Sequence, residues 1–198
     1  MVGQIRIYFE GDKALRSGFL SFFSAVRELR GRIKLIAGGA RPIEDFMVAL
    51  ETHRDSFNVL LVDAEGPDDG TLLAKLRAGP DSRGRWDPPL GAHVSEDQVH
   101  FMVQVMEAWF LADRETLRAY YGRELRENQL PANPEVEEVP KEEVLSGLRG
   151  ATEKTQKGPY HKTRHAPGLL GRLDATRARA AARACERLFA TLSSKLTE

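Results

Sequence analysis

The chain has 198 residues, of which 41% are apolar and 29% are charged, and its formal net charge is zero. This composition is ordinary for a globular protein, and the length suits one domain or one domain with an appendage. No apolar run reaches the roughly 18 residues of a membrane-spanning helix, the N-terminus lacks a signal-peptide pattern, and the single Cys185 excludes an internal disulfide. We therefore expect a cytoplasmic protein with no membrane partner.

The first third of the chain alternates short apolar runs with helical periodicity. Strands are predicted at Gln4–Phe9 and Arg32–Ala37, and the dense apolar run Val59–Val62 predicts a third strand that is covered on both faces. Between them, apolar residues at three- and four-residue spacings predict one helix from Asp12 to Leu29 and another that begins at Pro42. The order β-α-β-α-β predicts a Rossmann-like α/β fold, with a mostly parallel sheet and helices on both faces.

The remaining chain continues this pattern after an interruption. Residues 66–95 are rich in proline and glycine and predict a long loop or insertion beside the site, with one short helix at Leu72–Arg77. A fourth strand is predicted at Gln98–Met106, followed by a helix from Glu107 to Tyr121. We therefore predict an α/β domain over residues 1–125 and a helical C-terminal extension over residues 126–198.

Acidic residues follow three of the predicted strands. Glu10 and Asp12 follow the first, Asp63 and Glu65 end the third, and Glu107 follows the fourth. If these strands are parallel neighbours, the carboxylates meet at one edge of the sheet, where they can hold Mg²⁺ or Mn²⁺ for phosphate-ester chemistry. The alternatives are structural, because an acid after a strand also suits a turn, a helix cap or the first turn of a helix.

These residues carry a resemblance to the Toprim fold of topoisomerases, bacterial primases and OLD nucleases. Glu10-Gly11-Asp12 with Leu15 resembles the first acidic motif of that fold, and Asp63-Ala64-Glu65 resembles the second. The resemblance implies that Glu10 is a general acid/base or a metal ligand, and that Asp63 and Glu65 hold Mg²⁺. Glu65 departs from the Asp-x-Asp form of the second motif, which leaves its geometry open.

The whole chain is also similar to a bacterial family of unassigned activity that is related to the RloB and AbiL defence proteins. The matching segments span nearly its full length: EGD with Arg16, LLVDAEGP, HFMVQVMEAWFLAD, VPK at Val139–Lys141, and KGPYHKTRH. Members are often encoded beside an ABC-type ATPase. The similarity therefore implies a role in anti-phage defence with an ABC/AAA-type ATPase as a partner.

The positive charge of the chain is concentrated near its C-terminus. Residues 149–198 contain eleven Lys and Arg against four Asp and Glu, whereas the remaining residues contain 18 against 25. Within this region we predict that a nucleic acid is bound by six residues: Lys154, Lys157, Tyr160, Lys162, Arg164 and His165. Lysine and arginine contact phosphates, Tyr160 can stack on a base, and Lys162 or His165 can stabilise a transferring phosphoryl group. The alternative is an exposed loop whose charges are solvated.

Three functions from different classes remain open at this point. The leading hypothesis is a Mg²⁺-dependent phosphodiesterase or nuclease, with Glu10 and Lys162 as catalytic residues and Glu10, Asp63, Glu65 and Glu107 as metal ligands. The second is a non-catalytic interaction module of an ATPase complex. The third is a small-nucleotide phosphohydrolase or phosphotransferase. The oligomeric state is left open.

Overall fold

A four-stranded parallel sheet organises the chain in the computed structural model, which describes residues 3–39, 41–81, 84 and 86–197. The strands are β1 (Ile5–Phe9), β2 (Ile33–Ala37), β3 (Phe57–Asp63) and β4 (Val99–Met102). Their order in the sheet is β2-β1-β3-β4, so β1 pairs with β2 on one side and with β3 on the other. The direction of the chain through the sheet therefore reverses between β1 and β3, which is where open α/β sheets bind ligands.

Helices cover both faces of this sheet. The α-helices of the described residues are α1 (Leu15–Ser24), α2 (Pro42–Thr52), α3 (Leu72–Ala78), α4 (Ala108–Leu111), α5 (Arg114–Tyr121), α6 (Lys141–Thr152), α7 (Lys162–Leu170), α8 (Ala175–Ala181) and α9 (Arg183–Thr197). Because side chains alternate along a strand, Val59 and Leu61 pack with α1 and the C-terminal helices, whereas Leu60 and Val62 pack with α2 and α3. The predicted fold class, a Rossmann-like α/β sheet with a helical C-terminus, is confirmed.

An aromatic cluster joins the C-terminal helices to the sheet. The Phe22 ring of α1 lies 5.5 Å from the Trp109 ring and 5.3 Å from the Phe189 ring of α9, between centroids. All three side chains are fully buried, and each such burial stabilises the fold by about 1.5–3 kcal/mol. This cluster belongs to a core that contains residues from before and after position 125. The division into an α/β domain and a C-terminal extension at that position stays a prediction.

A close helix contact determines where α7 lies. A Cβ atom on Gly18 of α1 would be 2.6 Å from the carbonyl oxygen of Pro167 and 2.8 Å from Cβ of Leu170. Only glycine therefore lets the two helices approach this closely. Because α7 begins at Lys162, the same contact controls the position of that lysine.

Three predicted elements are wrong in extent. β4 ends at Met102 rather than Met106, and the predicted helix 107–121 is divided into α4 and α5. The division falls at Asp113, whose carboxylate accepts a hydrogen bond from the Thr116 main-chain N–H at 3.1 Å and so caps a new helix. The first helix ends at Ser24, and a 3-10 turn covers Arg27–Leu29.

The predicted loop over residues 66–95 contains α3, as expected, and its positions 82, 83 and 85 lie outside the described residues. Across the described ranges, no helix has the length and apolar character that are needed to span a bilayer.

Candidate active site

The exits of β1 and β3 bring Glu10 and Asp63 side by side. Phe9, the last residue of β1, is paired in register with Leu61, so Glu10 lies beside the last two residues of β3, Val62 and Asp63. The Asp63 main-chain N–H donates a hydrogen bond of 3.2 Å to Oε2 of Glu10. Asp63 is buried and Glu10 is half-buried. Two carboxylates from positions 53 residues apart therefore share one place at the carboxyl edge of the sheet.

Glu107 reaches the same place through a turn rather than directly from a strand. The Met106 main-chain N–H donates a 2.8 Å hydrogen bond to Oδ1 of Asp63, which folds residues 103–107 back over the end of β3. This bond explains why β4 is shorter than predicted. Glu107 precedes α4, but its side chain makes no cap hydrogen bond and is instead buried toward the C-terminal helices.

Lys162 supplies a positive charge between these acids. Its Nζ atom lies 3.1 Å from Oδ2 of Asp63 and 3.7 Å from Oε2 of Glu107. The Tyr160 hydroxyl donates a 2.9 Å hydrogen bond to Oε1 of Glu107. The start of α7 and the residues just before it therefore neutralise and orient the acids at the strand exits.

Glu65 lies at the margin of this group. Strand alternation would place Glu65 on the same face as Asp63 only if β3 continued to Glu65. Instead β3 ends at Asp63, and Glu65 takes a left-handed backbone, with φ of 61°. Its carboxylate forms a part-buried ion pair with Lys141, the first residue of α6. The Lys141 main-chain N–H in turn donates a 3.0 Å hydrogen bond to Oε1 of Gln104.

Burial and mutual repulsion change the acidity of these groups. Burial, followed by the charge of Asp63, raises the pKa of Glu10 from 4.5 to about 7, although the Asp63 N–H and the charge of Lys162 oppose the rise. Burial also raises the pKa of Glu107, against the charge of Lys162. Burial disfavours the charged form of Lys162, but the charges of Asp63 and Glu107 outweigh it and raise the pKa of that lysine. Glu10 can therefore exchange a proton near neutral pH, whereas Lys162 stays charged.

The basic stretch is divided between the site, the core and the surface. Lys162 lies in the site, but Tyr160 and His165 are buried, with 5% and 2% of their surface exposed. The His165 ring packs among tyrosines, and its Nδ1 accepts a 3.1 Å hydrogen bond from the His161 main-chain N–H. The predicted contacts of Tyr160 and His165 with a nucleic acid are therefore wrong, since neither side chain has surface to offer. The remaining predicted residues, Lys154, Lys157 and Arg164, are exposed and lie outside the cavity at the acids.

A cavity of about 300 Å³ opens beside the carboxylates, between β3, α6 and the start of α7. Asp63, Glu65 and Glu107 contribute acids to its wall, and Lys141, Arg149 and Lys162 contribute cations. A second cavity of about 470 Å³ lies on the other side of Glu65 and includes Glu10. No pattern in the sequence indicated a chemical role for Lys141 or Arg149. The only signal for Lys141 was its place in the VPK segment.

The donors at the site suit a hard divalent cation. Each of three carboxylates has an oxygen held by a main-chain or tyrosine donor: Glu10 by the Asp63 N–H, Asp63 by the Met106 N–H, and Glu107 by the Tyr160 hydroxyl. The other oxygen of Asp63 accepts a hydrogen bond from Lys162. Such support of the ligands is usual around metal ions, and carboxylate oxygens are what Mg²⁺ prefers. Within the described ranges, however, no group of three or more His, Cys, Asp or Glu stands ready to hold a metal ion. Lys162 occupies the space between Asp63 and Glu107.

Comparison with known proteins gives one family. The model of a family described as "Domain of unknown function (DUF4276)" matches residues 13–193, which is nearly the whole chain. Asp63, Glu65, Glu107 and Lys162 lie inside the matched range, and Glu10 lies just before it. No curated protein and no solved structure matches the chain.

Proposed function

The chain belongs to the DUF4276 family, and we propose that it is a Mg²⁺-dependent phosphodiester hydrolase that acts on nucleic acid. One observation carries the proposal: Glu10, Asp63, Glu107 and Lys162, from four distant segments, converge beside the point where the sheet order reverses. Buried acids with raised pKa values in a cleft are typical of catalytic sites.

Each side chain has a chemical role in this proposal. Asp63, Glu107 and Glu10 would hold the ion, while the main-chain donors and the Tyr160 hydroxyl keep one oxygen of each carboxylate in place. When bound, Mg²⁺ supplies neutralisation of phosphate charge and a more acidic water. Glu10, with a pKa of about 7, takes or gives the proton that moves during hydrolysis.

Lys162 connects the acids to the substrate. Its ammonium group has three N–H donors, and Asp63 accepts one of them at 3.1 Å. The others can point into the cavity, where they stabilise negative charge on the phosphoryl oxygens as it develops. Tyr160 acts through Glu107, because its hydroxyl fixes the orientation of that carboxylate.

A relationship to the Toprim fold and to the RloB and AbiL defence proteins is part of the same proposal. The adjacency of Glu10 and Asp63 at neighbouring strand exits supports a Toprim-like arrangement, and we place the family near the RloB and AbiL defence proteins on the segments quoted above. Anti-phage defence and an ATPase partner rest on that resemblance alone.

The test uses single- and double-stranded DNA and RNA with and without Mg²⁺ or Mn²⁺. We expect metal-dependent cleavage that falls by at least about a hundredfold in Glu10→Gln, Asp63→Asn and Lys162→Met. Lys34→Met, an exposed lysine on the edge strand β2, is the matched control and should cleave normally. Calorimetric titration with Mn²⁺ gives a readout besides activity, since Asp63→Asn should weaken binding. A folded protein that neither cleaves nor binds Mn²⁺ would falsify the hydrolase and favour an interaction module.

A further inference from the structure

The structure contains one arginine at the candidate active site whose charge is not used within the protein. Arg149 lines the 300 Å³ cavity, and among the described residues its guanidinium makes no hydrogen bond or ion pair. Several other arginines of the chain are bound by the protein's own groups. Arg118 and Arg179 bind carboxylates, and Arg187 donates to main-chain carbonyls.

The helix that carries Arg149 also explains why it faces the cavity. Lys141, Leu145 and Arg149 are spaced at i, i+4 and i+8 along α6, so they lie on one helix face, and all three line the cavity. Eight residues of helix rise by about 12 Å, so the two cations stand at opposite ends of this face. The apolar side chain of Leu145 lies between them along this face.

The charges around the cavity leave a positive end at Arg149. Lys162 is paired with Asp63, and Lys141 is paired with Glu65, so both lysines are already matched by acids. Arg149 and the exposed His161 have no such partner among the described side chains that line the cavity. An arginine in a concave site is suited to a phosphate group, because its planar fork donates two parallel hydrogen bonds.

We propose that this end of the cavity is a binding subsite for a second phosphate group of the substrate, adjacent to the phosphate that is hydrolysed. Arg149 is its main ligand, and Lys162 lines the same cavity. The inference rests on the proposed function for the identity of the hydrolysed phosphate, but the subsite itself is defined by the cavity. It assigns the substrate class: a molecule with at least two phosphates in series, as in a nucleic-acid strand or a strand end that carries a terminal phosphate.

The cavity size agrees with this assignment. A volume of about 300 Å³ is at the small end for ligand sites, and it is enough for a phosphate with its sugar.

Direct binding tests the subsite without any cleavage. Inorganic phosphate and pyrophosphate are titrated calorimetrically into the natural protein, Arg149→Gln, Arg149→Lys and the control Arg123→Gln, with chelator and with Mg²⁺. Arg123 is exposed and lines none of the cavities at the site. We expect binding that is weakened about tenfold or more in Arg149→Gln, partly restored in Arg149→Lys, and unchanged in Arg123→Gln. Binding that is absent, or equal in all four proteins under both conditions, would overturn the subsite.

A cleavage assay then separates this inference from the proposed function. Oligonucleotides with one neutral methylphosphonate at successive positions, and pairs with and without a 5′-phosphate, show which phosphate charge lowers KM. The subsite requires that one neutralised position raises KM in the natural protein and has little effect in Arg149→Gln. If the protein cleaves but the neutralised phosphate affects KM equally in the natural protein and in Arg149→Gln, the hydrolase is supported and the subsite is refuted. Arg149-dependent phosphate binding without cleavage of any substrate supports the subsite and refutes the hydrolase.

Discussion

The raised pKa of Glu10 makes the stability of the protein depend on pH in a calculable way. Replacing Glu10 with glutamine keeps the shape of the side chain and an oxygen that can accept the Asp63 N–H bond, but it removes the charge. A rise from 4.5 to about 7 corresponds, at about 1.4 kcal/mol per pKa unit, to at most about 3 kcal/mol.

The direction in which stability changes with pH depends on whether the folded or the unfolded chain binds the proton first. Above pH 7, Glu10 is ionised in the folded and unfolded chains, and the folded chain bears the full cost of the buried charge. As the pH falls from 7 toward 4.5, the folded chain takes the proton first, so the natural protein gains stability. We therefore expect Glu10→Gln to be more stable than the natural protein by up to about 3 kcal/mol near pH 8, and equally stable near pH 4.

Urea unfolding in the presence of a chelator measures this difference at each pH. Glu142→Gln is the matched control, because Glu142 is exposed in the first turn of α6 and should give a small difference that does not change with pH. A carbon-13 NMR titration of the Glu10 carboxyl gives its pKa independently. If Glu10→Gln changed stability equally at all pH values, or were less stable near pH 8, burial and repulsion at this site would not be as described.

Three further outcomes follow from the packing and the hydrogen bonds. Tyr160→Phe leaves the buried Glu107 carboxylate without its hydroxyl donor, so we expect a loss of about 1–3 kcal/mol in urea unfolding, and a much smaller loss in a background of Glu107→Leu. Gly18→Val places side-chain atoms against Pro167, so we expect a loss of at least about 1–3 kcal/mol and weaker cleavage, whereas a matched valine at exposed Gly122 affects stability but not cleavage. His100 is buried, and burial lowers its pKa to about 4, so the unfolded chain binds the proton first below pH 6.5. Stability should therefore fall by up to about 3 kcal/mol between pH 6.5 and 4, and His100→Gln should remove this part of the loss in the same unfolding assay.

The sheet could be predicted because its signals are local. The four apolar residues Val59–Val62 are buried on both faces, as their density implied, and the order of strands and helices along the chain determined the fold class. The end of β4 could not be predicted, because the alternation continues through Val105. A hydrogen bond from Met106 to Asp63, 43 residues earlier, ends the strand pattern there.

The candidate site was predictable only as far as it depends on strand ends. Glu10 and Asp63 were expected together and lie together, since both follow directly from parallel neighbours. Glu65 was expected beside Asp63, but a single left-handed residue redirected it to Lys141. The role of Arg149 depends on the face that α6 turns toward the cavity, and no local pattern in the sequence contains that information.

The basic stretch shows most clearly how packing changes the meaning of a charge pattern. Burying Asp63 and Glu107, with 2% and 1% of their surface exposed, would be very unfavourable without compensating charge and hydrogen bonds. Lys162 supplies the charge and Tyr160 supplies the hydrogen bond. Both residues lie at the site because Lys162 begins α7 and Tyr160 lies just before it. The protein thus balances its acids with its own lysine and with the proton that Glu10 can hold near neutral pH. Because this balance comes from the chain itself, the site can fold before any cation binds, and Lys162 is in contact with the acids when a phosphate arrives.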